Sequence, residues 1–130
     1  MKHLLSSEFI LYVDNQETAS RFYESLFRSK PTLEVPGMTE FTLSGQLKIG
    51  LMPNDGIAKI ITPTMPHPEK GNGIPRCELY FHVEDLSFEF ENAVKSGARI
   101  ISGIEERNWG DRAFYIADPD GHIIAFAEKR

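Results

Sequence analysis

Two glutamates occupy equivalent places in two similar segments of the chain. Glu8 opens the segment EFILYV, Glu78 opens ELYFHV, and the glutamates are about 70 residues apart. Where two such carboxylates lie close together, each negative charge raises the proton affinity of the other. The pair then supplies an acid and a base, or a receptor for a cationic group. The alternative is two solvated carboxylates on the rim of a pocket.

Several other side chains have the chemistry to contact a small molecule: Tyr12, Met52, Tyr80, His82, Trp109, Arg112 and Phe114. The rings of Trp109 and Phe114 can stack on a planar ligand, and a tyrosine hydroxyl on an apolar wall can orient it. For each aromatic residue alone, packing in the core is the commoner role. Arg112 can pair with a ligand anion or with Glu78, whereas an ordinary surface ion pair is its default role.

Composition narrows the classes of function. The chain has 130 residues, a formal net charge of −5 and one cysteine. This length is sufficient for a single domain with a core that needs no disulfide, and the lone cysteine fits a reducing compartment. The acidic balance argues against nucleic-acid binding, and no apolar run reaches membrane-spanning length. We therefore expect a cytoplasmic protein that binds neither nucleic acid nor membrane.

The apolar patterns predict the elements that position these residues. A strand at 8–13 leads into a helix from about Gln16 to Phe27, capped by Asp14 or Asn15, and then into short strands at 33–35, 40–43 and 47–52. The same order begins again with a strand at 78–83, a helix from the Asp85 cap to about Ser96 and a strand at 99–101. A hairpin around the turn Asp118-Pro119-Asp120-Gly121 closes the chain. Each half thus reads βαβββ, although the strand between 101 and 112 is faint.

The segment from 53 to 76 interrupts this repeat. It is rich in proline and shows only a short helical turn near 57–61, so it is either a lid or a crossover. We therefore expect one domain over 1–130, with module one at about 1–53 and module two at about 77–130.

Period-two alternation gives each predicted strand two faces. One face is uniformly apolar and should lie beneath the helices: Phe9, Leu11, Val13, Leu47, Ile49, Leu51, Leu79, Phe81, Val83, Ile124 and Phe126. The other mixes charged and large apolar groups: Glu8, Ile10, Tyr12, Lys48, Gly50, Met52, Glu78, Tyr80, His82, Ile123, Ala125 and Ala127. A solvated sheet face is one interpretation of the mixed face. A ligand pocket, or a subunit interface that encloses one, better explains its apolar members.

With these motifs in place, the chain resembles the vicinal oxygen chelate superfamily, which includes glyoxalase I, bleomycin-resistance proteins and extradiol dioxygenases. The matching residues are Val13-Asp14, the helix segment FYESL at 22–26, the strand at 78–83, Trp109-Gly110 with Arg112, and the DPDG turn. The resemblance implies an α+β fold in which paired βαβββ modules form a cupped mixed sheet with the helices on its outer face.

The resemblance also implies four metal-ligand positions, which fall here at Glu8, Gly50, Glu78 and Ala125. Gly50 and Ala125 have no donor atom in their side chains, and two carboxylates hold a divalent ion only weakly. His82, on the same face, is either an additional ligand or a structural histidine. We therefore expect no cofactor, with weak divalent-metal binding as the exception.

Three hypotheses follow. The leading one is a homodimeric, metal-free protein of the bleomycin-resistance type that binds a small molecule. The second is an enzyme of the same superfamily, a lyase or isomerase such as a lactoylglutathione-lyase relative, that uses Glu8 and Glu78 as a weak metal site or an acid/base pair. The third is an interaction module that uses the mixed face only for assembly.

Overall fold

The computed structural model describes residues 2–129, and the chain divides into two compact units, Met1–Asn72 and Gly73–Arg130. Each unit contains a four-stranded mixed sheet and has the βαβββ order. The α+β class predicted from the sequence is confirmed. Among the described residues, no helix combines the length and the apolar character that crossing a bilayer requires.

The first unit is built on the strands β1 (Ser7–Val13), β2 (Leu33–Val35), β3 (Met38–Thr42) and β4 (Leu47–Pro53). Their order in the sheet is β1-β4-β3-β2, with β1 parallel to β4 and the other pairs antiparallel. Helix α1 (Gln16–Phe27) joins β1 to β2. Helix α2 (Asn54–Ile61) and a 3-10 turn (Pro68–Gly71) follow β4.

Helix α1 begins at a side-chain cap and covers one face of this sheet. The Asn15 side chain accepts the backbone N–H of Thr18 at 2.9 Å, which satisfies a donor that has no partner inside the helix. Tyr23 is fully buried, and its ring centroid lies 6.5 Å from that of Phe41 on β3. We call the face turned away from α1 the open face of the first unit. By alternation from the buried residues, it carries Glu8, Ile10, Tyr12, Lys48, Gly50 and Met52.

The second unit repeats this plan with β5 (Glu78–His82), α3 (Leu86–Lys95), β6 (Arg99–Glu106), β7 (Asp111–Ala117) and β8 (Ile123–Lys129). The sheet order is β5-β8-β7-β6, with β5 parallel to β8 and the other pairs antiparallel. The Asp85 side chain caps α3 by accepting the N–H of Phe88 at 3.1 Å. Phe90 of α3 packs edge-on against Phe114 of β7, with centroids 5.1 Å apart, so α3 covers the Phe114 side of this sheet.

The DPDG turn joins β7 to β8 through its own side chain. Oδ1 of Asp118 accepts the N–H groups of Asp120 and His122 at 2.9 and 2.8 Å. Gly121 has φ +91°, and a Cβ at this position would lie 3.1 Å from the Cα of Gly73. The glycine is therefore required both by the backbone conformation and by the close approach of a second backbone segment.

The structure corrects three expectations about local structure. The segment after β4 is a complete helix over Asn54–Ile61 rather than a short turn, because the prolines lie outside it and Ile57 and Ala58 bury an apolar side. Strand β6 runs to Glu106 with two register shifts, and these irregularities hide its alternation. Phe9 is 57% exposed rather than covered by a helix, since it lies near the start of β1, the edge strand of its sheet.

Candidate functional site

The open face of the second unit, turned away from α3, brings several predicted binding residues together. In register, Tyr80 lies beside Ala125 and His82 beside Ala127. Both alanines are fully buried. Because these alanine side chains are small, they leave space beside Tyr80 and His82. Polar side chains from neighbouring elements can enter this space.

A buried carboxylate connects these side chains. Asp111 is 2% exposed, and its Oδ2 accepts the hydroxyl of Tyr80 at 2.6 Å and lies 3.1 Å from Nε2 of His82. Nζ of Lys129 lies 3.3 Å from Oδ1 of the same carboxylate. Trp109 donates its indole N–H to the Tyr80 hydroxyl at 2.8 Å. We call these five residues the Asp111 network.

The network fixes the protonation of its central groups. The hydrogen bond from Tyr80 lowers the pKa of Asp111, burial opposes this effect, and Lys129 and His82 lower the pKa further. Burial raises the pKa of Tyr80, as does its bond to Asp111, whereas the indole of Trp109 acts in the opposite direction. At neutral pH, Asp111 is therefore ionised and the Tyr80 hydroxyl keeps its proton.

A tight turn between β6 and β7 presents Trp109 to this face. The N–H of Gly110 donates to the carbonyl of Arg107 at 3.2 Å, and Gly110 has φ +96°. The Arg107 guanidinium anchors the turn by donating to the carbonyl of Ala113 at 3.0 Å. Trp109 is 57% exposed, so its ring is held at one edge while much of its surface remains accessible.

The open face of the first unit holds a carboxylate of opposite character. Oε2 of Glu8 is enclosed and has no hydrogen-bond partner among residues 2–129. A Cβ at position 50 would lie 2.5 Å from this oxygen, so Gly50 leaves room for the carboxyl group. Burial raises the pKa of Glu8, as does the neighbouring carboxyl group of Glu40, and Lys48 opposes the rise only in part. Glu8 therefore holds its proton more tightly than an ordinary glutamate.

Tyr12 and Met52 lie next to each other on this same open face. They are partners in the register of β1 and β4, and Tyr12 is 39% exposed. Both belong to the first unit, whereas Tyr80, His82 and Trp109 belong to the second. Their contact with a ligand stays a prediction.

Comparison with known proteins places the chain in a family. The sequence model of the glyoxalase-like domain matches residues 7–129. The chain belongs to the glyoxalase-like domain family. An uncharacterised protein of Mycobacterium tuberculosis is 30% identical over 115 residues, which covers 86% of this chain and 67% of the relative. The phenazine antibiotic resistance protein EhpR of Enterobacter agglomerans is 28% identical over 117 residues, covering 88% of this chain and 84% of EhpR.

Solved structures agree with the family assignment at the level of fold. A glyoxalase-related enzyme from Fulvimarina pelagi superposes with a TM-score of 0.81 at 18% identity, over 98% of this chain and 88% of the other. A glyoxalase/bleomycin resistance protein/dioxygenase family enzyme from Burkholderia phytofirmans gives 0.81 at 15% identity, over 95% and 98% of the chains. At these identities the likeness shows the fold alone.

The four metal positions of the metal-dependent glyoxalase-like relatives do not fit a bound transition metal here. The space where a side chain at position 50 would begin is taken by the Glu8 carboxyl group. Ala125 offers a buried methyl group instead of a donor. Glu8 and Glu78 remain, one in each unit, and two carboxylates are fewer protein ligands than zinc or iron usually requires.

The structure corrects the placement of two predicted binding residues. Phe114 is fully buried on the side of the sheet covered by α3, where it stacks on Phe126 with centroids 5.3 Å apart. Arg112 lies on that same side and bonds to Glu128 through Nη1 at 2.9 Å. Both are therefore turned away from the open face, because alternation along β7 gives them the opposite direction to Asp111.

Sequence reasoning missed Asp111 and Lys129, although a signal for both was present. The DPDG hairpin pairs Ala117 with Ile123, and Asp111 with Lys129. Since the β8 residues Ile123, Ala125 and Ala127 were assigned to the mixed face, the same pairing places the odd-numbered residues of β7 on it. The hairpin register thus predicts Asp111 on the open face and excludes Arg112 and Phe114.

Two clusters elsewhere have metal-ligand chemistry: Asp55, His67 and Glu69, and Asp118, Asp120 and His122. In the first, Nδ1 of His67 accepts the backbone N–H of Glu69 at 3.2 Å, so Nε2 carries the proton directed at Asp55. No ring nitrogen is left with a lone pair for a metal. In the second, the DPDG turn itself uses the carboxylate of Asp118, as described above.

A shallow cleft of about 610 Å³ lies near the end of α1, lined by Arg21, Glu24, Ser25, Arg28, Ser29 and Lys30. It contains none of the predicted site residues. Its side chains are those of a solvated helix end, so we place the candidate site on the open faces.

Proposed function

We propose that this protein is a metal-free small-molecule-binding protein whose ligand is a planar aromatic compound that stacks on Trp109. The observation that carries the proposal is the exposed indole held in place through its N–H by Tyr80. An aromatic side chain that is already ordered gives up little conformational entropy when a ligand stacks on it. A cytoplasmic homodimer is part of the proposal, as the resemblance to bleomycin-resistance proteins implies.

The first compound to test is phenazine, a planar tricyclic aromatic, because the relative EhpR is named as a phenazine antibiotic resistance protein. Trp109 is the only tryptophan, so quenching of its fluorescence reports stacking at this residue directly. Stacking of a planar nucleobase on an aromatic side chain contributes about 1–3 kcal/mol, and we take this range for phenazine. We therefore expect Trp109→Ala to weaken phenazine binding at least about fivefold, measured by calorimetry.

Phe88→Ala is the matched control. Phe88 is also an aromatic residue of the second unit and is 51% exposed, but it lies on α3 rather than on the open face. We expect this variant to bind phenazine as the wild type does. Absence of quenching at saturating phenazine, or equal affinity of Trp109→Ala and the wild type, would contradict the proposal.

The second candidate is an isomerase or lyase of the same superfamily that uses Glu8 as an acid. The raised pKa of Glu8, caused by burial and by Glu40, favours it, since a general acid must hold its proton near neutral pH. The test is whether the protein isomerises the adduct between glutathione and a 2-oxoaldehyde. The absorbance of the thioester product monitors the reaction. Activity in the wild type that Glu8→Gln abolishes would support this candidate, and no turnover with or without added zinc or nickel would reject it.

A further inference from the structure

We propose that His82 accepts a proton from the bound ligand, so that the preferred ligand is a planar aromatic with an acidic hydroxyl group, bound as its oxyanion. This inference rests on the proposed stacking of a planar ligand on Trp109.

The Asp111 network determines which nitrogen of His82 carries the proton. Oδ2 of Asp111 accepts the Tyr80 hydroxyl at 2.6 Å. Because this bond, Lys129 and His82 lower the pKa of Asp111, the carboxylate is ionised and can only accept further bonds. Nε2 of His82 lies 3.1 Å from the same oxygen. Nε2 must therefore carry the hydrogen, and in the neutral ring the lone pair is on Nδ1. A carboxylate that holds one imidazole nitrogen in this way also stabilises the imidazolium formed when the other nitrogen takes up a proton.

Nδ1 is available to a ligand. The His82 side chain is 52% exposed, and among residues 2–129 no group hydrogen-bonds Nδ1. The ring of His82 lies 5.4 Å from that of Tyr80, whose hydroxyl receives the indole N–H of Trp109. Tyr80 thus contacts both side chains, which brings His82 and Trp109 to the same part of the open face. In the proposed complex, a ring stacked on the indole places its hydroxyl group at the histidine.

Tyr80 cannot perform this role itself. Its hydroxyl hydrogen is donated to Asp111 and one lone pair receives the indole N–H, so it holds the indole in position. The O–H bond of the ligand breaks, the electron pair stays on the ligand oxygen, and the proton forms an N–H bond at Nδ1 of His82. Asp111, through Nε2–H, offsets the new positive charge on the ring.

One cation on this face can pair with a ligand oxyanion beside His82. Asp111 contacts the ring, but its charge is already shared by Tyr80, His82 and Lys129. The ammonium group of Lys129, 76% exposed and 3.3 Å from Asp111, can also turn towards an anion. The other carboxylates on this face are Glu78 on β5 and Glu105 on β6. Glu105 lies in the row of His82, with the paired residues Ala127 and Ala113 between them.

The probe that tests this inference is 2-hydroxyphenazine, whose hydroxyl is too far from the ring nitrogens to bond to them. Absorbance titration gives the acid ionisation constant of the hydroxyl, both for the compound free in solution and for the compound bound to the protein. We expect binding to the wild type to increase that constant at least tenfold. His82→Gln keeps a side-chain N–H donor for Asp111 but has no nitrogen that can take up a proton. We expect this variant to lose most of the increase in the ionisation constant. Unsubstituted phenazine has no hydroxyl and should bind equally to both proteins.

The outcomes separate this inference from the proposed function. If both compounds quench Trp109 but the hydroxyl ionises equally when free and bound, the role of His82 is wrong and the stacking site stands. If neither compound quenches Trp109, stacking itself is wrong. If His82→Gln retains the increase, His82 is not the acceptor. Thermal unfolding of His82→Gln and of a second variant, His82→Asn, verifies that each is folded, and the inference requires the same loss in both.

Discussion

The two units share one strand order and differ in how each treats a carboxyl group on its open face. In the second unit, Asp111 is surrounded by the donors of Tyr80, His82 and Lys129, and its pKa is lowered. In the first unit, Glu8 lies above Gly50 beside a second acid, Glu40, and its pKa is raised. The same βαβββ frame thus lowers the pKa of a carboxyl group in one half and raises it in the other, because the neighbouring side chains determine the direction of the shift.

The helix-covered sides of the two units are more alike than their open faces. In the first unit, Phe27 of α1 packs edge-on against Phe41 at 5.6 Å. In the second, Phe90 of α3 packs edge-on against Phe114 at 5.1 Å. Both sheets therefore use the same aromatic contact between helix and strand. The divergence is concentrated on the open faces, where we place function.

The largest expected effect tests this similarity of the cores. Phe41 is 1% exposed and Phe114 is fully buried, so Phe41→Ala and Phe114→Ala should each lower the free energy of unfolding by about 3–5 kcal/mol. Urea denaturation measures both, with the exposed Phe88→Ala as a control that should lose less than about 1 kcal/mol. A small loss of unfolding free energy for Phe114→Ala, together with weakened phenazine binding, would show that Phe114 contacts the ligand.

Much of this frame could be predicted from residue patterns. The apolar stripe of α1, the Asn15 and Asp85 caps and the DPDG turn are local signals, and each appears in the structure at the expected place. Helix α2 and the second half of β6 could not be predicted with the same reliability. The prolines around α2 obscured an eight-residue helix. The register shifts of β6 are stabilised by bonds from Arg107 to Ser102 and Gly103, which alternation does not reveal.

The candidate site also contains residues that local patterns predict and residues that they do not. Tyr80, His82 and the open face of β5 follow from alternation alone, which depends only on strand geometry. The hydrogen bond between Trp109 and Tyr80 depends on the turn at Gly110, whose conformation the sequence does not specify. The ionised state of Asp111 depends on three donors from two strands, Tyr80 and His82 on β5 and Lys129 on β8, converging on it. Such convergence is a property of tertiary structure. The register of the hairpin indicates only one part of it, the pairing of Asp111 with Lys129.

The second-largest expected effect is on stability and concerns Gly50, which lies beneath Glu8 in the first unit. In Gly50→Ala the new methyl would meet Glu8 Oε2 at 2.5 Å and Ile10 Cγ1 at 3.1 Å, so the Glu8 side chain must move. We expect a loss of about 1 kcal/mol, since overpacking exceeds the gain from a stiffer unfolded chain. Gly56→Ala in α2, with no atom within 4 Å of its Cβ, should instead gain about 0.5–1 kcal/mol. Equal changes would mean that Glu8 does not occupy this space.

A smaller effect tests the protonation of Glu8 itself. Because its folded-state pKa is raised, the folded protein binds more protons than the unfolded chain between the two pKa values. The stability that Glu8 contributes therefore falls as the pH rises through that interval. Glu8→Gln removes this dependence, so the variant should match the wild type at low pH and be the more stable of the two at neutral pH. Lower stability of Glu8→Gln at neutral pH would show that folding does not raise the pKa of Glu8.

The smallest effect concerns the hairpin turns that close the two sheets. In the second unit, burial lowers the pKa of His122, but the hydrogen bond from its Nδ1 to Asp118 at 2.8 Å and the charges of Asp118 and Asp120 outweigh it, so the pKa is raised above 6.5. A raised histidine pKa stabilises the fold fully below 6.5, and this contribution is lost as the pH rises through the folded-state value.

His122→Gln should therefore be less stable than the wild type in acid, with a difference that shrinks as the pH rises through the folded-state pKa of His122. Thermal unfolding at a series of pH values measures it. The corresponding turn of the first unit contains Ser44 and Gly45, which do not titrate, so Ser44→Ala should leave the pH dependence unchanged. A His122→Gln difference that is constant with pH would show that the two backbone bonds to Asp118 hold the turn without the charged histidine. The two hairpins would then differ in sequence but not in their response to pH.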